Sequence, residues 1–266
     1  RVHSVAAVGG LARQGLVARP TLQRVEHVMG MPVVVDVRDP DVDDGALDRM
    51  FEWLRFVDAT FSTYKADSEI SRINRGELLV EAANSDVREV LDRCEELRHE
   101  TNGYFDARPA SDDVLDPSGL VKGWSVDRAA AILDEAGARN YAVNVAGDML
   151  LRGRAIPDDS WRVGIQHPLE RDKVAKVIVG NDLAVATSGA YARGDHVLDP
   201  HTRRAPEGVL SVTITGPVLA TADAYATAAF AMGVEGPKWT ARLRGYEAMT
   251  ILADETVLST PGFPSV

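Results

Sequence analysis

A single cysteine, Cys94, stands in a chain of 266 residues. One thiol excludes an internal disulfide and any cysteine-built metal cluster. No stretch approaches the roughly 18 uninterrupted apolar residues that a membrane-spanning helix needs. Basic residues are in deficit, with 29 Lys and Arg against 40 Asp and Glu and a formal charge of −11. That balance argues against a nucleic-acid partner, because phosphate backbones are met by basic faces. Internal repeats, low-complexity linkers and composition breaks are absent too, so the chain reads as one domain over 23–266 behind an N-terminal extension, 1–22. Residues 1–21 lack the unbroken apolar core of a secretory signal. This favours a cytoplasmic location, while a trimmed N-terminus would leave an extracytoplasmic one open.

What is present is ordinary for a soluble globular protein: 45% hydrophobic and 26% charged residues. Arg24–Val37 alternates and then runs apolar, a hairpin or long strand interrupted at Met29-Gly30-Met31. Leu47, Met50, Phe51, Leu54, Val57 and Phe61 recur at three- and four-residue steps, which predicts an amphipathic helix over 43–61. A second helix is expected over 85–100, with Cys94 on its apolar face as core packing. A third is expected from about Trp124 to Ala136. Strands are expected at 141–145, 161–166, 174–179, 183–187 and 209–215. A small-residue helix over 222–232 follows, with Thr221 as its cap, and then a hairpin over 249–259. Short strands between helices without strict alternation predict an α+β architecture, a single domain of mixed or antiparallel sheets with packed helices.

Four segments carry residues suited to chemistry. Asp116-Pro-Ser-Gly119-Leu-Val-Lys122-Gly123 precedes the third helix, where glycines, free N–H groups and Lys122 suit a phosphate. A turn with a solvated lysine is the alternative. Asp223 and Thr227, four apart on one helix face, offer oxygen ligands of the kind Mg²⁺ takes. An acidic residue complementing the helix dipole is the simpler reading. His196, among Asp195, Asp199 and His201, has the character of a general base. Those three side chains (His196, Asp199 and His201) read alternatively as a metal cluster, and His201 as turn decoration. Ser62, Tyr64 and Arg72 lie in a polar run over 61–74 that suits ring stacking and anion pairing, or simply a capped short helix. Asn144 and Asp148 flank Gly147 as turn residues or as the edge of a pocket.

In order along the chain, Met29-Gly30, FSTYKADSEISRIN, Gly103-Tyr-Phe-Asp106, DPSGLVKGWSVDRA, Asn144-Val-Ala-Gly147-Asp148, ATSG, HVLDPHT and TADAYAT resemble the ApbE family. Its members are FAD:protein FMN transferases, and the resemblance runs from about Val25 to Gly233. It implies an Mg²⁺-dependent enzyme that splits FAD and attaches the FMN half to a Ser or Thr of an acceptor flavoprotein, releasing AMP. Carried over by motif, Met29, Ser62, Tyr64, Asp106, Asp116, Lys122 and Val197 would line the FAD site. Gly119 (through its carbonyl), Asp223 and Thr227 would hold Mg²⁺, and His196 would activate the acceptor hydroxyl, making His196 and Asp223 the catalytic pair. Met31 replaces the family's usual threonine, Ala146 its usual glycine, and the lipoprotein cysteine common near the start of members is missing. FAD hydrolysis to FMN and AMP, and FAD binding without turnover, are the alternatives.

Overall fold

The computed structural model describes residues 21–108, 114–156, 159–189 and 197–266. β1 (Leu22–Val28) and β2 (Met31–Val37) form the expected hairpin, joined at Met29 and Gly30 with φ of +56° and +70°. Positive φ at both central residues gives a turn whose twist matches that of the strands it joins. β3 (Tyr141–Val145) and β4 (Asp148–Arg152) are joined likewise through Ala146 and Gly147, at +50° and +103°. β5 (Trp161–Gln166) and β6 (Val174–Gly180) form a separate two-stranded sheet, with Ile178 of β6 also bridged to Ser265. β7 (Leu183–Gly189), β8 (Val209–Gly216), β9 (Glu247–Leu252) and β10 (Val257–Ser259) complete an antiparallel sheet of order β1-β2-β3-β4-β7-β8-β9-β10.

Five helices position the site. α1 (Asp44–Phe61) is capped by Asp43, whose carboxylate accepts from Ala46 N. α2 (Glu69–Asn74) is capped by Ser68, α3 spans Ser85–Glu100, α4 Ser118–Glu135 and α5 Leu219–Ala231. Leu47, Met50, Phe51 and Leu54 of α1 and Ala222, Ala226 and Ala229 of α5 pack on Val33, Val35, Val143, Leu150 and Ile214 of the sheet. A second cluster ties the helices together through Val57, Val87, Leu97, Trp124 and Ala228. Cys94 lies in it, with burial pushing its thiol up to about 12, so it packs and does not react. On the sheet's other face, Trp161, Val163, Ile165 and Ile178 cover Met149, Leu151 and Val185. Helices, sheet and a two-stranded flap make three layers, an α+β domain.

Two helix starts differ from expectation. α4 begins at Ser118 rather than near Trp124, so Gly119, Lys122 and Gly123 are helical. Gly123 sits where α4 crosses α5: a β-carbon there would lie 2.6 Å from the Leu219 carbonyl oxygen and 2.8 Å from Ala220 N. Thr221 lies inside α5 and does not cap it. Asp127 of α4 does so instead, one turn beyond Gly123, accepting from Leu219 N at 3.1 Å and Ala220 N at 2.8 Å. Close approach and capping by the same face of α4 fix the register of the two helices.

Candidate active site

Register brings four turns and strand ends to one end of the sheet. The β1–β2 turn at Met29-Gly30 neighbours the β3–β4 turn, because Val33 pairs with Val145. β4 starts at Asp148, and its pairing of Met149 with Val185 sets Asp148 beside the last residues of β7. Asp148 Oδ1 accepts from Thr187 N at 3.0 Å. Over this end lie the first two turns of α4 and the first half of α5.

The Lys122 ammonium sits between two buried carboxylates, 2.5 Å from Asp148 Oδ2 and 3.4 Å from Asp223 Oδ1. The aspartate side chains are 2% and 4% exposed and that of Lys122 24%. Among the described residues Asp148 Oδ2 accepts no hydrogen bond of good geometry and has this ammonium as its one close partner. Burial works against the charge on Lys122, yet the two aspartates hold its pKa above the usual lysine value. Burial also pushes the Asp223 carboxyl up to about 7; Lys122 opposes that shift and Asp148 adds to it. Asp223 Oδ2 accepts from Gly123 N at 3.2 Å. That N–H is the ordinary α-helical partner of the Gly119 carbonyl, so Asp223 competes for the donor that would otherwise occupy it.

Thr227 follows Asp223 by one turn, its Oγ1 3.4 Å from Ser188 Oγ at the end of β7. Gly119 is adjacent, since a β-carbon there would lie 3.9 Å from the Thr227 methyl and 3.2 Å from the Phe105 ring. Lys122, Gly119, Asp223 and Thr227 therefore converge. Two carboxyl groups, one ammonium, hydroxyls and a carbonyl form an oxygen-rich cluster. Its donors suit a hard divalent cation that fills its remaining positions from water and phosphate. Among the described residues no three His, Cys, Asp or Glu side chains gather as a softer metal centre would need.

The other singled-out residues ring this cluster or lie apart from it. Met29 takes its left-handed conformation while packing against both helix-side core clusters. Asp116 N donates to the Ala107 carbonyl at 2.7 Å, which ties Asp106 to the start of α4. The Asp106 and Asp116 carboxylates each accept from the backbone two residues on, at Arg108 N and Ser118 N. Ser62 ends α1, its Oγ accepting from Tyr64 N, and Tyr64 projects 98% exposed. Val197 packs against the main core. His196 and Asp195 lie outside the described residues. Asp199 closes a turn by accepting from His201 N and Thr202 Oγ1, while the His201 ring stands edge-on to Tyr104 with Nε2 3.0 Å from the Asn102 carbonyl oxygen. The Glu69 carboxylate, a candidate partner for Arg72, accepts from Asn84 N at 2.7 Å. The Asn144–Asp148 ambiguity resolves both ways: Asn144 Oδ1 accepts from Gly147 N as a turn residue, whereas Asp148 lines the pocket. Ser188 carried no signal of its own beyond its place in the Ser-Gly pair that ends β7.

Fold and cluster together define an α+β protein with a buried cluster of oxygen groups around one ammonium at the end of its sheet. Residues 29–112 and 107–250 match the model of the ApbE family, and the chain belongs to that family. A Vibrio cholerae FAD:protein FMN transferase is 36% identical over 131 residues, 46% of this chain and 39% of the relative. A Salmonella typhimurium FAD:protein FMN transferase is 30% identical over 153 residues, 54% of this chain and 44% of the relative. The chain thus aligns with less than half the length of these relatives. The solved flavin transferase ApbE from Vibrio cholerae superposes with a TM-score of 0.82 at 23% identity, over 93% of this chain and 99% of that one.

Proposed function

We propose that this chain transfers the FMN half of FAD to a Ser or Thr hydroxyl of an acceptor protein, with Mg²⁺ as cofactor. The observation that carries the reading is the buried convergence of Lys122, Asp223, Thr227 and Gly119, four motif positions drawn from two helices about a hundred residues apart. In this reading the acceptor oxygen bonds to the FMN-side phosphorus, the phosphoanhydride P–O bond breaks, and AMP departs with the bridging oxygen. Such a reaction calls for positioning and charge neutralisation more than for covalent help from the protein.

Asp223, Thr227 and the Gly119 carbonyl would hold Mg²⁺, which supplies neutralisation of the pyrophosphate oxygens when bound. Lys122 meets the same phosphates as a fixed positive charge, held protonated by its aspartates. Met29, Ser62, Tyr64, Asp106, Asp116 and Val197 would line the site of FAD, with the exposed Tyr64 ring available to stack on a flat ligand. His196 would take the proton of the attacking hydroxyl.

Asp223→Ala tests the core of this reading. The variant is expected to keep its circular dichroism spectrum and lose FMN transfer by at least a hundredfold. Metal-dependent transfer at the unaltered rate would remove Asp223 from the metal site.

A further inference from the structure

Of the two aspartates facing Lys122, the motif-based reading uses only Asp223. Asp148 is the more buried and the closer, and it is anchored to the sheet. It opens β4 directly after a two-residue turn, and Thr187 N of β7 donates to its Oδ1. Among the described residues the other oxygen, Oδ2, has the ammonium as its one partner. Lys122 therefore lies 0.9 Å closer to a carboxylate that is anchored to the sheet than to the one on α5, as the distances of 2.5 and 3.4 Å require.

We propose that Asp148 is a positioning residue that draws the Lys122 ammonium toward the sheet and so leaves the Asp223 carboxylate available to a divalent cation. The inference rests on the cation reading of this site given above. A lysine within reach of a metal-binding carboxylate competes with the metal for it, because the two positive charges seek the same oxygens. A second buried carboxylate removes that competition in two ways. It supplies the lysine with a nearer partner, and it balances the lysine's charge, so that the Asp223 carboxylate is left to meet a further positive charge. The lysine remains within the site, where it can meet phosphate.

Asp148→Asn keeps an oxygen for Thr187 N and removes the charge. Lys122 is then expected to turn to Asp223. Mn²⁺ binding in the presence of FAD, read from the loss of the free-ion EPR signal, should weaken about tenfold or more, the usual effect of losing a group that orients metal ligands. The double variant Lys122→Met/Asp148→Asn removes both the competitor and its holder. It is expected to bind Mn²⁺ within about threefold of Lys122→Met alone, and it leaves no unpaired lysine to disturb folding. Unaltered Mn²⁺ affinity in Asp148→Asn would overturn the proposal. So would a double variant as weak as Asp148→Asn, since Asp148 would then act on the ion directly. A crystal structure of Asp148→Asn without metal gives an independent answer: Lys122 Nζ against the Asp223 carboxylate supports the inference, and an unmoved Nζ contradicts it. If the unaltered protein takes up no Mn²⁺, the cation reading fails, and that crystal structure still decides where Asp148 holds the lysine.

Discussion

Burial pushes the Asp223 carboxyl up to about 7, against the pull of Lys122 and the Gly123 N–H and with the help of Asp148. Its pKa in the unfolded chain is 3.8, so between roughly pH 4 and pH 7 the folded protein keeps a proton that the unfolded chain has released. Stability from this group is therefore complete below pH 4 and is lost as pH rises through 7. A divalent cation reverses the preference, because it binds the carboxylate and expels the proton. Mn²⁺ affinity is expected to rise about tenfold per pH unit up to about 7 and to level off above it. A titration of the Mn²⁺ Kd against pH checks this; a flat profile between pH 5.5 and 7 would mean that Asp223 is already ionised before the metal arrives. Residue identity alone revealed Lys122, Asp223 and Thr227 as candidates. It did not reveal that Asp148 belongs with them, because a carboxylate after an Asn-Val-Ala-Gly turn has the same local signature whether it caps the turn or enters a pocket.

α1 and α3 were legible because each carries an apolar stripe at helical spacing and begins at a side-chain cap, Asp43 and Asn84. α4 and α5 were harder to bound for physical reasons. The glycines at 119 and 123 suggest a loop, yet they are there so that Phe105 and the first turn of α5 can approach α4 closely. The start of α5 carries no local signal either, since its cap, Asp127, lies 92 residues away in sequence from Leu219. β4 was missed as well: Asp148–Leu151 is buried throughout, with neither the alternation nor the length that marks a strand. The Asp127 contact makes an element-scale prediction. Asp127→Ala leaves two N–H groups at the start of α5 unpaired and should destabilise the protein by about 1–2 kcal/mol. The urea midpoint should fall with an unchanged slope, and Asp127→Asn should recover part of the loss. An unchanged midpoint would mean that water caps α5 as well as Asp127 does.

On the scale of the molecule, the layers explain where the site lies. An eight-stranded antiparallel sheet brings its turns to one end, and two helices locked by Gly123 and Asp127 lay their polar positions over that end. The flap of β5 and β6 covers the opposite face of the sheet and supplies none of the clustered side chains. The chain carries a net charge of −11, and the lysine of the cluster, Lys122, is already shared between two carboxylates. In the proposed reading, an anionic dinucleotide would enter with its own cation rather than on protein charge alone. The most direct test is to incubate the protein with FAD and an acceptor domain bearing an exposed threonine, with and without Mg²⁺, and to weigh the acceptor intact. An added FMN mass that appears only with Mg²⁺, together with free AMP, is the expected result. FMN and AMP released in solution, at a rate that no acceptor domain alters, would contradict transfer and identify water as the acceptor.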